Sequence, residues 1–248
     1  DWIPTGGRRK IASLAEKMPD MKGRDYLVRA GIPVEERYIG NAHIFSTKEI
    51  RELLKHNKDI LSADKLLEDQ YEDTIDLETM ERMQQIDINN WLPGDILQKA
   101  DRMSMANSLE LRVPFLDKEV MAVAEKIPRR YRVTHKEQTD ADTKYITKYA
   151  MRLAAKKDTP PQTAKTAAKK KLGFPVPIRV WLKEDKYYNI VKSSFTGNAA
   201  NKFFNTDMIV KLLDDHKNGK ADNSRKIWTI YTFLVWYNVY FENSEFVK

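Results

Sequence analysis

The residues best suited to chemistry lie in the stretch 95–117, which reads DILQKADRMSMANSLELRVPFLD. At 3.6 residues per turn, this stretch has a packing stripe that consists of Ile96, Ala100, Met103 and Asn107. The neighbouring stripe carries charge and consists of Asp95, Lys99 and Arg102. Because Asp95 and Lys99 are spaced i,i+4, the carboxylate can hold the ammonium group in one orientation. A charged helix face that ends at a proline is typical of an active-site wall, and a solvated face with surface ion pairs is the alternative.

The order of residue types is more specific than their spacing. The first motif consists of Lys99, Asp101, Arg102, Ser104, Met105 and Ala106, and the second of Leu109, Glu110, Arg112, Pro114, Phe115, Leu116 and Asp117. A third consists of Lys171, Leu172, Gly173, Phe174 and Pro175, followed by Pro177 and Trp181, and a fourth of His216, Gly219, Ser224, Arg225, Trp228 and Trp236. In this order the motifs resemble the C-terminal synthetase domain of glutamine-dependent asparagine synthetases.

The resemblance implies a parent enzyme with two parts. In the family, an N-terminal Cys hydrolyses glutamine, and a nucleotide domain uses ATP and Mg²⁺ to activate a carboxylate for attack by ammonia. This chain has no Cys, and its only adjacent glycines, Gly6 and Gly7, depart from the family's SGGxDS phosphate loop. The GEGxDE element that helps to hold magnesium is also missing. The chain starts at Asp1 without an initiator Met or a visible secretion signal, and we expect a fragment that is inactive alone.

These absences lead to a prediction of the fold class. We expect a mainly α chain, the helical C-terminal half of an adenine-nucleotide-α-hydrolase-like (ATP pyrophosphatase) synthetase domain. No alternation of strands and helices is visible in the sequence, so most of the parallel sheet should lie outside it. Residues 1–248 are predicted to form a single helical region.

The resemblance also suggests site residues. Lys171 is the expected catalytic cation, because adenylation and ammonia attack both develop negative charge that a fixed cation stabilises. Asp95 and Lys99 are expected in the wall near the acyl-adenylate intermediate. The other expected substrate-binding residues are Asp101, Arg102, Glu110 and Arg112, with a structural role as the alternative. Glu110 and Arg112 are expected to be buried and therefore paired. No residue is assigned to a cofactor or a metal, and the four histidines lack metal-ligand spacing and are expected at surface or capping positions.

The charge of the chain bears on its partners. The net charge is +7, and one region is crowded with lysines, namely Lys156, Lys157, Lys165, Lys169, Lys170 and Lys171. No zinc-finger, RNP or KH signature accompanies them, so we expect no nucleic-acid partner and assign an anion such as pyrophosphate to Lys171 only. The partners expected for the parent are aspartate, glutamine or ammonia, and ATP. Apolar surface left bare by the missing sheet predicts self-association, for example a homodimer. The lack of Cys fits the cytoplasm.

Two alternatives to asparagine synthesis stay open at the level of sequence. A related amidotransferase could act on another carboxylate, such as diaminopimelate, and nothing in these residues distinguishes the acids. A non-enzymatic, basic helical binding module is the alternative of another class. Its affinity for nucleic acid would fall steeply with added salt.

Local patterns predict the elements that position the motifs. Gly6 to Pro33 should form two short helices with Ile11, Leu14 and Ala15 on one face. Ser46 and Glu49 form a capping box. A long helix from about Asp76 to Trp91 should end at Pro93 and Gly94, so that Asp95 starts the motif helix.

The C-terminal half gives four further predictions. Asp117 should cap a helix that ends near Pro128. Arg129 to His135 favours a short strand or an extended link, and a helix that carries Tyr145 should follow a polar loop. Thr159 to Lys171 is expected to be a mobile loop. Ser224 to about Phe241 is apolar nearly all round, which indicates a buried helix rather than a membrane span.

Overall fold

A computed structural model of the chain describes residues 5–16, 18, 24–41, 43–57, 60–135, 145–169 and 176–242. The contacts between Cα atoms divide the chain into two compact units. Unit 1 is Asp1–Arg102 with Pro177–Lys248, and unit 2 is Met103–Val176. The described part of the chain is mainly helical, as the sequence predicts. Its only sheet has two antiparallel strands, so the described residues contain no parallel sheet.

The first half of unit 1 consists of short helices. They are α1 Thr5–Glu16, α2 Arg24–Gly31, α3 Val34–Arg37, α4 Thr47–Leu53, α5 Ala63–Leu66, α6 Glu68–Glu72 and α7 Thr79–Ile86. The two helices predicted between Gly6 and Pro33 are confirmed, but their inner face matches the predicted one only at Ala15. Leu14 is exposed, and Ala12 and Ala15 are buried. The reason is close helix packing: a Cβ atom on Gly31 would lie 2.4 Å from the Ala12 Cβ atom, so only small side chains fit there.

The helix before the motif does not end at its proline. The prediction that Pro93 and Gly94 terminate it is wrong, because α7 continues through a π-helical stretch, Asp87–Leu97, into α8 Gln98–Met105. In an α-helix the proline ring would clash with the carbonyl group four residues earlier. The wider π-helical turn, with hydrogen bonds to the fifth residue, can accommodate it.

The second half of unit 1 contains the main hydrophobic core. Its helices are α13 Ile178–Trp181, α14 Asp185–Phe195, α15 Asn198–Phe203, α16 Thr206–Lys217 and α17 Ser224–Tyr237, which ends in a π-helical turn, Asn238–Glu242. The fully buried side chains include Phe195, Ile209, Leu213, Ile227 and Leu234. The helix predicted from Ser224 is confirmed, but it is buried along one face only: Ile227, Ile230 and Leu234 are buried, whereas Trp228 and Trp236 are exposed. No helix in the described ranges is both long enough and apolar enough to cross a membrane.

Helix α4 is joined to this core although it lies far away in sequence. Its capping box is confirmed, because the Ser46 side chain accepts from the Glu49 N–H group and the Glu49 side chain accepts from the Ser46 N–H group at 2.9 Å. Leu53 belongs to the core, and the Lys226 ammonium group of α17 pairs with Glu49. Burial alone would raise the pKa of Glu49, but the hydrogen bonds from Lys226 and Ser46 outweigh burial and lower it to about 2.

Unit 2 contains short helices and the sheet. Its elements are a 3₁₀ turn Pro114–Leu116, α9 Lys118–Lys126, α10 Arg129–Arg132, β1 Val133–His135, β2 Tyr145–Thr147, α11 Tyr149–Asp158 and α12 Pro161–Ala168. The predicted cap is confirmed, since the Asp117 carboxylate accepts from the N–H groups of Glu119 and Val120. None of the described residues of unit 2 is buried.

Three predictions for unit 2 need correction. The predicted strand from Arg129 to His135 is helical over its first four residues and extended only from Val133. Tyr145 lies in a strand that pairs with His135, and its helix starts at Tyr149. The expected loop between Thr159 and Lys171 contains helix α12, whose first residue is Pro161, a position where a missing N–H costs nothing. The polar loop predicted before Tyr145 lies outside the described residues.

Candidate functional site

Asp95 is held by two side chains of its own helix. The Lys99 ammonium group lies 2.8 Å from its Oδ2 atom, and the Trp91 indole N–H donates to the same atom at 3.1 Å. The predicted i,i+4 pair therefore forms, and Trp91 is a partner that spacing did not reveal. The Lys99 side chain is 64% exposed and that of Asp95 is 42% exposed. The Asp95 carboxylate and the Lys99 ammonium group are therefore held in fixed orientations and are accessible to a polar ligand.

The packing stripe predicted for this helix is only half right. Ile96 and Ala100 are partly buried, whereas Met103 and Asn107 are exposed. The Asn107 amide donates to the Met103 carbonyl group at 2.9 Å and so helps to close the end of α8. Asp101 and Arg102 lie on α8 with exposed side chains.

The helix ends in a left-handed turn that the sequence does not indicate, because a serine and not a glycine occupies the turn position. Ser108 has a φ of 54°, in the left-handed region that glycine usually occupies at this position. The Leu109 N–H group donates to the Ser104 carbonyl group, and the Ser108 N–H group donates to the Met105 carbonyl group. These are the two hydrogen bonds of a Schellman motif. The turn fixes where the chain leaves the helix and enters residues 109–113, which form neither helix nor strand.

Glu110 and Arg112 form the second ion pair of the stretch. The Arg112 Nη2 atom lies 2.5 Å from the Glu110 Oε1 atom, and the two side chains are 80% and 73% exposed. The expectation that Glu110 and Arg112 are buried is wrong, because no described part of the chain covers the segment that carries them. The pairing itself forms, as expected. Asp95, Lys99, Asp101 and Arg102 belong to unit 1, and Glu110 and Arg112 belong to unit 2.

Lys171, the expected catalytic cation, lies outside the described residues. The structure does describe the chain just before it. Arg152 of α11 donates to the carbonyl groups of Ala167, Lys169 and Thr147, the last two at 3.1 and 3.0 Å. Arg152 thereby fixes the end of α12, two residues from Lys171. Sequence reasoning missed Arg152, because a lone arginine on a helix carries no signal of a role. The described lysines of the basic region, Lys156, Lys157, Lys165 and Lys169, are exposed.

The fourth motif has a buried histidine at its centre. His216 is fully buried, so the expectation of a surface position is wrong for this residue, whereas its hydrogen bonds to backbone groups at helix ends fit the capping alternative. Its Nδ1 atom accepts from the Asn223 N–H group at 3.2 Å, and its Nε2 atom lies 3.0 Å from the Arg179 carbonyl oxygen. An N–H group can only donate, so the ring is neutral with its proton on Nε2. His216 therefore connects α13, α16 and the start of α17.

The loop after α16 is closed by an acidic side chain as well. Asp222 accepts from the Ser224 N–H group at 3.1 Å and from the Ser224 hydroxyl group at 2.7 Å. These hydrogen bonds lower the pKa of Asp222 below its usual range. Gly219 supplies the positive φ of 73° that the loop requires. The fourth motif thus has a structural role in the described chain.

The described residues contain no candidate metal centre. No group of three or more His, Cys, Asp or Glu side chains in the described ranges could hold a metal ion. The motif stretch contains two accessible ion pairs. Asp95 and Lys99 lie on the helix, and Glu110 and Arg112 lie on the segment that follows it. Each pair by itself can bind a ligand that carries both charges, as an amino acid does, if further residues bind its reacting part.

Comparison with known proteins identifies the class to which this architecture and these motifs belong. The family model described as asparagine synthase matches residues 2–238, and the chain belongs to this family. The chain is 42% identical over 244 residues to asparagine synthetase [glutamine-hydrolyzing] 1 of Bacillus subtilis, strain 168. It is 36% identical over 245 residues to putative glutamine-hydrolyzing asparagine synthetases of Mycobacterium bovis and Mycobacterium tuberculosis.

These matches cover the chain and the relatives very unequally. They include 97% of this chain in the Bacillus comparison and 98% in the mycobacterial ones. The chain spans 36% of the length of each of these curated relatives. No solved structure matches the chain.

Proposed function

We propose that this chain is the helical C-terminal part of the synthetase domain of a glutamine-dependent asparagine synthetase. The parent enzyme would convert aspartate to asparagine with ATP, through a β-aspartyl-AMP intermediate that ammonia attacks with loss of AMP. The observation that carries the proposal is the family match across residues 2–238, together with the motif order. The proposed fold of the whole domain is adenine-nucleotide-α-hydrolase-like, and the cytoplasm is the proposed location because it supplies ATP and aspartate.

Each site residue has a role in this proposal. Lys171 would stabilise the negative charge that develops during adenylation and during ammonia attack. Asp95 and Lys99, paired and accessible, would face the amino-acid part of the intermediate. Asp101, Arg102, Glu110 and Arg112 would complete the substrate-binding surface. ATP, Mg²⁺ and glutamine or ammonia would be bound by parts of the parent beyond the described residues, and residues 1–248 alone would be inactive.

Aspartate-dependent release of pyrophosphate by the full-length parent tests the proposal. We expect release only when ATP, Mg²⁺ and aspartate are all present, and asparagine when glutamine or ammonium is added. The same assay with diaminopimelate in place of aspartate is the control for the acid substrate. Release with diaminopimelate but not with aspartate would replace the acid in the proposal, and release with neither would refute amide formation as the function.

A further inference from the structure

Three side chains form a row on the helix that carries Asp95. Trp91, Asp95 and Lys99 are spaced four residues apart, so each lies about one turn beyond the last. The Trp91 indole N–H group and the Lys99 ammonium group both contact the Oδ2 atom of Asp95, at 3.1 and 2.8 Å. Among the described residues, no group donates a hydrogen bond to the Oδ1 atom. One oxygen atom of the carboxylate is therefore held by the helix, and the other is available to a ligand.

The two partners of Asp95 differ in how firmly they can orient its carboxylate. The Lys99 side chain is long, flexible and mostly exposed, and an exposed ion pair by itself fixes geometry only weakly. Trp91 is partly buried, and its rigid indole ring carries a single N–H donor with a fixed direction. The orientation of the carboxylate therefore depends more on Trp91 than on Lys99.

The turn that carries Trp91 is anchored to the rest of unit 1. It follows Ile86, whose side chain is fully buried. At the next residue, the Asp87 carboxylate accepts from the Tyr38 hydroxyl group at 2.5 Å and from the Asn41 N–H group at 3.0 Å. Burial and the hydrogen bond to Asp87 raise the pKa of Tyr38, so its hydroxyl group remains a donor at neutral pH. These contacts hold the start of the π-helical stretch against a distant part of the chain.

A second side chain of the stretch is anchored in the same way. The Asn90 amide group donates to the Gln70 side-chain oxygen at 2.7 Å and to the Ile86 carbonyl group at 2.8 Å. The Gln70 amide group donates in return to the Asn90 Oδ1 atom at 3.3 Å. Trp91 is the next residue along the chain, so its backbone position is fixed from α6 as well. Trp91 and Asp95 are therefore presented from an anchored helix.

We propose that Trp91 is a positioning residue for the amino-acid substrate, an inference that rests on the proposed function. Its indole N–H group holds the Oδ2 atom of Asp95, so that the Oδ1 atom accepts a hydrogen bond from the α-ammonium group of the substrate. The Lys99 ammonium group contacts the α-carboxylate group, which the reaction leaves unchanged. Trp91 acts through Asp95 and is not itself a catalytic residue.

A conservative substitution of Trp91 in the full-length parent tests this role. Trp91→Phe keeps an aromatic ring and removes the N–H donor. We expect the KM for aspartate to rise about tenfold and kcat to change less than about twofold, because substrate and transition state lose the same contact. The KM for ATP should not change. An unchanged KM for aspartate would overturn the inference.

Trp236→Phe is the matched control for this substitution. The Trp236 ring contacts other aromatic rings, and no described residue accepts a hydrogen bond from its indole N–H group. The same loss of an N–H group therefore removes no contact with the motif stretch. We expect the Trp236→Phe parent to keep both KM values and kcat.

A double substitution separates positioning from a general effect on the fold. If Trp91 acts only through Asp95, Trp91→Phe should raise the KM for aspartate in the original parent and have no further effect in an Asp95→Ala background. A merely structural role would change the kinetic constants to the same extent in both backgrounds. Equal fold-changes in the two backgrounds would refute positioning.

The contact between Trp91 and Asp95 can also be measured without enzymatic activity. In a parent with isotope-labelled tryptophan, the indole N–H resonance of Trp91 is identified by its loss in Trp91→Phe. We expect this resonance to shift in the Asp95→Ala variant and the resonance of Trp236 to stay in place. A Trp91 resonance that does not move would overturn the inference, whichever acid the parent uses.

Failure of the inference and failure of the proposed function give different results. Pyrophosphate release with aspartate, together with an unchanged KM in Trp91→Phe, would overturn the inference and leave the proposed function intact. A shifted Trp91 resonance in a parent that releases pyrophosphate with no acid would refute the proposed function but not the orientation of Asp95 by Trp91. If the parent uses diaminopimelate, the same rise in KM is expected for that acid, because it carries the same ammonium and carboxylate groups.

Discussion

The helical core, α14 to α17, and the motif stretch, residues 95–117, are built in opposite ways. The core buries Phe195, Ile209, Leu213 and Leu234 completely and contains the neutral His216 among them. The motif stretch has no buried residue, and its charged pairs are accessible to solvent. Core substitutions should therefore change the free energy of unfolding, and motif substitutions should change activity. Exposed pairs such as Asp95–Lys99 contribute only about 0–1 kcal/mol to stability.

The largest expected difference between the two regions comes from the same substitution made in each. Leu213→Ala should lower the free energy of unfolding by about 2–5 kcal/mol, because the cavity lies in a closed core. Leu109→Ala, at a side chain that is 61% exposed, should change it by less than about 0.5 kcal/mol. Urea denaturation of residues 1–248, followed by circular dichroism, measures both. Equal losses would mean that Leu109 is covered within this chain.

Removal of the expected catalytic cation should affect activity alone. In the full-length parent, Lys171→Ala should lower the rate of asparagine formation by at least about 10²–10³-fold, because charge developing on phosphate loses its stabilisation. The melting temperature should not change. Lys165→Ala is the matched control, since Lys165 is an exposed lysine of α12 outside the family motif. Near-normal turnover of Lys171→Ala would refute the assignment.

The buried histidine gives the next effect. His216→Ala should destabilise the chain by about 2–3 kcal/mol, because the Arg179 carbonyl group and the Asn223 N–H group both lose a buried partner. His43→Ala, at an exposed position, is the control and should have little effect. Thermal unfolding monitored by circular dichroism checks both variants. A His216→Ala variant as stable as the His43→Ala control would contradict a structural role for the ring.

The pair between α4 and α17 should give the smallest effect and a dependence on pH. The pKa of Glu49 is about 2 in the folded chain and has an ordinary value of 4.5. A lowered folded-state pKa adds stability that is complete above pH 4.5 and is lost as the pH falls towards 2. Because the Glu49 side chain is 36% exposed, solvent reduces this contribution to about 1 kcal/mol.

Comparison of the Glu49→Gln variant with the original chain measures this contribution. The difference in the free energy of unfolding should be constant from neutral pH down to about 5 and should vanish between pH 4.5 and 2. Urea titrations at a series of pH values provide the measurement. A difference that does not depend on pH would exclude the ion pair as its source.

Several elements of the fold were predictable because their causes are local. Two helix caps are examples, because each is made by residues no more than three positions apart in sequence. Ser46 and Glu49 form one cap, and Asp117 with the N–H groups that follow it forms the other. The apolar run from Ser224 likewise identifies a helix that contributes to the core, although not which of its faces is buried. The family motifs were equally visible in sequence, although the roles of Lys171, Asp95 and Lys99 stay predictions.

Other features had no visible signal in the sequence. Pro93 was expected to end a helix, but the chain continues through a π-helical stretch whose wider turns accept the ring. Arg152 holds the end of α12, and no pattern around Arg152 shows this.

The sequence by itself determined the family, the helix caps and the charge pairs that can form along one helix face. The tertiary structure decided which of these residues are covered. His216 is enclosed because α13, α16 and α17 meet around it, and Glu110 and Arg112 are open because nothing in the described chain packs on their segment. Burial depends on surfaces brought together from distant parts of a chain, and a local apolar pattern does not show which of its residues another surface will cover.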